Sequence, residues 1–362
     1  MKNSWLVLST GFALFSMFFG SGNLVFPIAV GTECGGHYLL SAMGILLTGV
    51  VVPFLGVFGM LLYKGDLNNF FSYLGKPGIF LFSLLALSLM GPFGVLARCL
   101  TVAHGAIALI FPSAPLVWTS LYLCLVVFLL AVNKSRILST LGIILTPFLL
   151  LSIGAITFFG LQQGAPSPQL EIGSFQAFKD GFLKGYQLMD LLAAFFFSAF
   201  VIQQLKKRAE KPYNHFIKAS CIGGGILALV YFSLVVLGWI FAPKLVGCQP
   251  PEMLGKIAME SLGVWAIPAV ATAVVFACLT TAIVLVTLFA DFLRKEVLRE
   301  KIGNIPALLI TLLIGFLVST LEFQGIARFI GPILEFIYPV LIALTCFNIV
   351  RHFWFKPKFV TQ

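Results

Sequence analysis

The sequence predicts an all-α integral membrane protein of ten transmembrane helices, two of them broken. Three observations carry that expectation. The chain is 60% hydrophobic and only 10% charged, where soluble domains average about 25% charged residues. Apolar runs of about 20 residues, the length that crosses a bilayer's hydrocarbon, recur from one end to the other. Glycine-rich or charged interruptions fall inside two of those runs. A chain with mean hydropathy +1.05 cannot hide its side chains in one soluble core, so lipid is its solvent.

Hydropathy places the spans near 5–32, 38–62, 78–110, 116–132, 137–160, 183–204, 214–241, 264–293, 303–320 and 326–350. Polar or Pro/Gly clusters separate them, among them Lys64-Gly65-Asp66, Asn133-Lys134-Ser135-Arg136 and Gly164-Ala165-Pro166-Ser167-Pro168. The expected organisation is a first five-helix repeat over 1–160 and an outer connecting loop over 161–182. A second five-helix repeat over 183–350 and a cytoplasmic tail over 351–362 complete it. Only Lys2 precedes the first run, and no small-x-small cleavage site follows it, so a retained span is expected rather than a signal peptide. The longest outer loops are too short to fold independently.

The formal charge of +10 is confined to short loops, which points to membrane topology rather than to nucleic acid. With the N-terminus inside, 17 of the 23 Lys and Arg residues lie on inner segments. That bias orients the chain in a cell inner membrane with both termini cytoplasmic. Seven cysteines without a CxxC pair make neither a disulfide framework nor a zinc site. Isolated thiols are expected, with Cys34 and Cys248 the one pair that outer loops could bring together. The chain has no HExxH, GxSxG or GxGD motif, so neither an enzyme nor a metal cofactor chemistry is expected.

The first span reads Phe18-Phe19-Gly20-Ser21-Gly22-Asn23-Leu24-Val25-Phe26-Pro27. Two glycines and an asparagine favour unwinding, and Pro27 suits the first turn of a resumed helix. Freed N–H groups at Ser21 and Gly22 would then face a cavity at the positive end of a half-helix, a setting for a carboxylate. A small-residue packing face explains GSGN equally well on its own. The sixth span separates the two readings, because Gly185-Tyr186-Gln187-Leu188-Met189-Asp190 puts a charge at membrane depth. Asp190 could cap a resumed half-helix, bind an ammonium or carry a proton. Interruptions at the first and sixth spans occupy corresponding positions of two five-span halves, the pattern of a transporter site built from inverted repeats.

The eighth span carries Ala277-Cys278-Leu279-Thr280-Thr281. The Ala277 carbonyl and the Thr280 and Thr281 hydroxyls share a helix face. Opposite carbonyls near Ser16 and Phe19 they would make an all-oxygen cage for Na⁺. Threonines bonding back to their own helix are the simpler expectation for the pair alone.

Four stretches then resemble the branched-chain amino acid:cation symporters, the BrnQ-type carriers. They are GFALFSMFFGSGNLVFP (11–27), GYQLMDLLAAFFF (185–197), ACLTTAIVLVTLFADFL (277–293) and FIGPILEFIYPVLIAL (329–344). The resemblance implies a leucine-transporter-like fold of 5+5 inverted helices that imports leucine, isoleucine and valine with Na⁺, or H⁺ in some members. It implies a substrate site at Gly20, Ser21, Gly22, Asn23, Met189 and Asp190, with the Ser21 and Gly22 amides on the carboxylate and carbonyls near Met189 and Asp190 on the ammonium. It implies a Na⁺ site at Ser16, Phe19, Ala277, Thr280 and Thr281. Two departures stand out: the family has twelve spans where this chain shows ten, and its Pro-Arg-Thr appears here as Ala97-Arg98-Cys99. Glu335 of the tenth span is a candidate ion-pair partner for Arg98 or a gate on the outer or inner path, and Phe195, Phe196 and Phe197 are candidates either to line an aliphatic pocket or to face lipid.

Overall fold

The computed structural model describes residues 2–132, 137–163 and 172–354, and these are helical with short turns and no strand. The loop at 133–136, the Pro/Gly loop at 164–168 and the tail beyond 354 lie outside the described residues. Five helices are long and apolar enough to cross a membrane: Tyr38–Leu62, Ser72–Ala108, Pro212–Lys244, Val264–Val297 and Glu322–Trp354. Two bent pairs add a first and a sixth span, Ser4–Phe18 with Ser21–Thr32 at 70° and Ser174–Tyr186 with Asp190–Lys207 at 40°. Shorter apolar helices at Leu116–Val132, Pro147–Gly160 and Asn304–Ser319 stand where the fourth, fifth and ninth spans are expected.

The element boundaries depart from hydropathy in two places. Span six begins at Ser174, inside the stretch read as loop, because Phe175-Gln176-Ala177-Phe178-Lys179-Asp180 is amphipathic rather than uniformly apolar. Span three is itself interrupted. Its two parts, Gly75–Met90 and Val95–Ala108, are joined by a turn at Gly91-Pro92-Phe93-Gly94, since Pro92 cannot donate a helical bond. The turn keeps its backbone paired, Gly91 N–H to the Leu87 carbonyl at 2.8 Å and Leu96 N–H to the Gly91 carbonyl at 3.1 Å.

Backbone contacts at glycine hold the interrupted spans. A Cβ on Gly31 of span one would strike the Val235 carbonyl of span seven and lie 2.8 Å from the Trp239 nitrogen. One on Gly238 of span seven would strike the Ile28 carbonyl in return. Spans six and two meet in the same manner, Gly181 on the Ser41 carbonyl and Gly44 on the Phe178 carbonyl. Helices approach this closely in membranes because small residues let dispersion contacts and backbone proximity replace the absent hydrophobic drive. An inverted repeat exchanges span one with six and span two with seven, so the two crossings are equivalents of each other. The four spans form the centre in which both breaks lie.

Candidate functional site

The first break falls at Phe19-Gly20. The helix Lys2–Phe18 ends with Phe19 N–H still bonded to the Phe15 carbonyl at 2.8 Å, and Gly20 is extended at φ −108°, ψ −163°. The chain re-enters a helix at Ser21. Asn23 steadies the restart, its side-chain carbonyl accepting the Gly20 N–H at 3.0 Å. Pro27 is the seventh residue of this half-helix, not a first-turn residue as the sequence suggested. There it withholds the donor that the Asn23 carbonyl would otherwise receive. Ser21 and Asn23 are buried from both faces of the protein, at 0% and 2% exposure.

The second break spans Gln187-Leu188-Met189. Met189 takes a left-handed conformation at φ 63°, an arrangement that costs an L-residue roughly 1–2 kcal/mol and is sustained by tight packing (1% exposed). Asp190 opens the following helix, where a negative charge meets the positive end of the peptide dipoles. It is not the cap, since Met189 holds that position without a side-chain bond. Its carboxylate reaches across to the first break instead, accepting the Asn23 amide at 2.9 and 3.2 Å. Tyr231 of span seven donates its hydroxyl to the same carboxylate at 2.7 Å and also meets the Asn23 amide. Residues 167 positions apart are thereby joined, and the two breaks become one centre.

Tyr231 lies in a span whose middle is otherwise plain apolar helix. Its signal is weak, a tyrosine at the middle of a long span where a hydroxyl requires a partner. Gln187 is likewise overshadowed in the sequence by the charge of Asp190. Its carbonyl accepts Arg98 Nη1 at 2.6 Å and its side-chain oxygen accepts Nη2 at 3.3 Å. The guanidinium also lies over the Phe26 and Phe323 rings, 5.0 and 5.7 Å from their centroids. Among the described residues no carboxylate pairs with Arg98. Glu335 faces outward and exposed, so the expected Glu335–Arg98 pair does not form.

Span eight meets the first break at Thr281, whose hydroxyl lies 3.7 Å from where a Gly20 Cβ would stand. Thr280 bonds back to the Ala277 carbonyl at 2.9 Å, the simpler of its two expected habits. Ser16 lies half-buried one turn before the break and Phe19 is buried at it. On span three the Cys99 thiol faces the Ser21 hydroxyl at 3.5 Å. Phe195, Phe196 and Phe197 do not gather at this centre. They pack on Phe70, Phe71, Phe82 and Phe18, filling the core further along span six. Cys34 and Cys248 are free thiols.

A family model described as branched-chain amino acid transport protein matches residues 3–362. The chain belongs to that family. A relative from Staphylococcus aureus strain USA300, provisionally named a branched-chain amino acid carrier protein, is 27% identical over 97% of this chain and 83% of its own. One from strain MRSA252, named in the same way, is 27% identical over 100% of this chain and 85% of its own. Among solved structures, MhsT in complex with L-phenylalanine superposes with a TM-score of 0.64 at 15% identity, covering 97% of this chain and 89% of that one. A manganese transporter from Eremococcus coleocola gives 0.56 at 16% identity, covering 94% and 75%. These likenesses establish a leucine-transporter-like fold. As a member of this family the chain is a multi-pass membrane transporter for amino acids and not an enzyme.

Proposed function

We propose that the protein imports leucine, isoleucine and valine by symport with Na⁺, alternating access around the centre where spans one and six break. The observation that carries this reading is the meeting of the two breaks, sealed by Asn23 and Asp190. At such a meeting a half-helix start offers N–H donors and a half-helix end offers carbonyls, which together suit the two charges of an amino acid.

In this reading the Ser21 and Gly22 amides, beside Gly20 and Asn23, hold the carboxylate, and carbonyls around Met189 and Asp190 hold the ammonium. Na⁺ sits among Ser16, Phe19, Ala277, Thr280 and Thr281. Thr280 supports it in spite of its back-bond, because a hydroxyl that donates its proton to the Ala277 carbonyl keeps lone pairs for a cation. The placement of Thr281 against Gly20 brings one face of that cage to the break. The basic bias of the expected inner loops supports insertion in a cytoplasmic membrane with both termini inside.

A second reading, a carrier of neutral amino acids coupled to H⁺, draws on one specific observation. The Asp190 carboxylate is surrounded by neutral donors, an amide and a phenol, with no cation bonded to it among the described residues. Uptake of labelled leucine into proteoliposomes under imposed Na⁺ or H⁺ gradients separates the two. Stimulation by Na⁺ that Thr281→Ala abolishes is the expected result. Uptake driven by H⁺ alone and lost in Asp190→Asn would overturn the Na⁺ assignment, and no uptake of any aliphatic amino acid would overturn the substrate class.

A further inference from the structure

Arg98 is 1% exposed in the middle of a membrane protein, and no carboxylate among the described residues neutralises it. A charge withdrawn from water without an opposite charge is expensive and marks function by default. Its position is fixed from three sides. The turn at Gly91–Gly94 starts its helix, with Arg98 N–H on the Gly94 carbonyl at 2.9 Å. Gln187 holds both Nη groups, and Phe26 and Phe323 lie against the guanidinium plane. Nε is buried with no partner.

This fork stands beside the start of the half-helix Ser21–Thr32. Phe26 belongs to that half-helix, and the Gln187 carbonyl that Arg98 grips lies 3.8 Å from where a Gly22 Cβ would be. The next residue on span three, Cys99, touches Ser21. Asp190, the opposite charge, is engaged by Asn23 and Tyr231. Among the described residues the centre thus carries a positive group with no counter-charge, next to the Ser21 and Gly22 amides. A buried positive group with an N–H to spare suits a carboxylate through charge-assisted hydrogen bonding.

We infer that Arg98 is the fixed counter-charge for the substrate's carboxylate and therefore a specificity-determining residue, one that confines the carrier to free amino acids. The inference rests on the amino-acid reading of the site. It excludes amides and esters of the same side chain, because these would leave the buried cation unneutralised.

The experiment is equilibrium binding of labelled leucine to the purified full chain, competed by leucinamide, which keeps the side chain and the ammonium but replaces the carboxylate with a neutral amide. Wild type is expected to prefer leucine by about 100-fold or more, the scale on which a site rejects a ligand that leaves its polar group unpaired. Arg98→Gln should shrink that preference below about tenfold by weakening leucine alone. Arg98→Lys, which retains the charge, should keep most of the preference and carries the test if the glutamine variant does not fold. Equal weakening of both ligands in Arg98→Gln would overturn the inference and leave Arg98 as a brace for Gln187. So would a lysine variant that binds both equally, or a wild type that does not discriminate. A wild type that binds no leucine removes the amino-acid reading and this inference with it, whereas leucine binding with an unchanged ratio removes the role of Arg98 alone.

Discussion

Asn23 and Asp190 differ from most serines and threonines of the spans in what they bond to. Most serines and threonines here return their hydroxyls to their own helix, as Thr311 does to the Ala307 carbonyl and Thr345 to the Leu341 carbonyl, each at 2.7 Å. Asn23 instead spends its amide on another span and its carbonyl on Gly20. Removing it would leave the buried Asp190 carboxylate with Tyr231 alone and orphan the buried Gly20 N–H. Asn23→Ala is therefore expected to abolish transport while the protein still reaches the membrane. Tyr231→Phe removes one hydrogen bond to a charged group, about 1.5–3 kcal/mol, so leucine uptake should fall by roughly tenfold or more rather than vanish. Vesicle uptake normalised to protein amount measures both. Unchanged uptake in either variant would show that the Asp190 network does not support the working site.

At the scale of the element, the half-helices are held by backbone contact, which leaves little tolerance for volume. Gly31 and Gly181 lie against carbonyls of spans seven and two, and a methyl group there must push a whole helix aside. Overpacking of this kind costs about 1–3 kcal/mol. Gly31→Ala should accordingly lower the melting temperature of the detergent-solubilised protein. Gly225→Ala, in the same span seven with nothing within 4 Å of its added Cβ, should leave it unchanged or raise it slightly, as helix propensity alone would predict. Equal melting temperatures would mean that the crossing is not close-packed. Span two contributes a further irregularity to this region. Its wide π turn at Leu47–Val51 lies where Thr48 donates to the Phe182 carbonyl at 2.8 Å, supplying a donor just before the sixth span breaks.

For the whole molecule, two ion pairs clasp segments expected on the outer side. Lys184 at the end of the first half of span six meets Glu33 at the end of span one. In the loop between spans seven and eight, Lys244 bonds Glu260 at 2.8 Å, and that bond holds the Glu260 carboxyl below its usual range. Both pairs are at least partly exposed, so each contributes little to stability. The charge bias across the membrane is the stronger organising feature. A fluorescent protein fused after residue 362 should fold and glow, whereas an alkaline phosphatase fused there should be inactive, because the first matures in the cytoplasm and the second outside it. The reverse result would invert the proposed orientation.

The sequence by itself determined that the chain lives in lipid, how many apolar runs it has and two of the three in which the helix is interrupted, the turn at Gly91–Gly94 of span three being the exception. Those properties are local: hydropathy is a sum over some 20 neighbouring residues, and Gly20, Gly22 and Asp190 declare a break within a single turn. It also determined the family, because the motifs around the breaks are contiguous strings. Pairing across the fold was not legible. That Asn23 would find Asp190, that Tyr231 would complete the triangle, that Arg98 would grip Gln187 instead of Glu335, and that the phenylalanines at 195–197 would pack on rings of other spans are all decided by which helices cross and at what height. Partner choice among buried polar groups depends on the packing of four spans at once. Only the tertiary structure fixes that packing, through glycine crossings too close for any other residue.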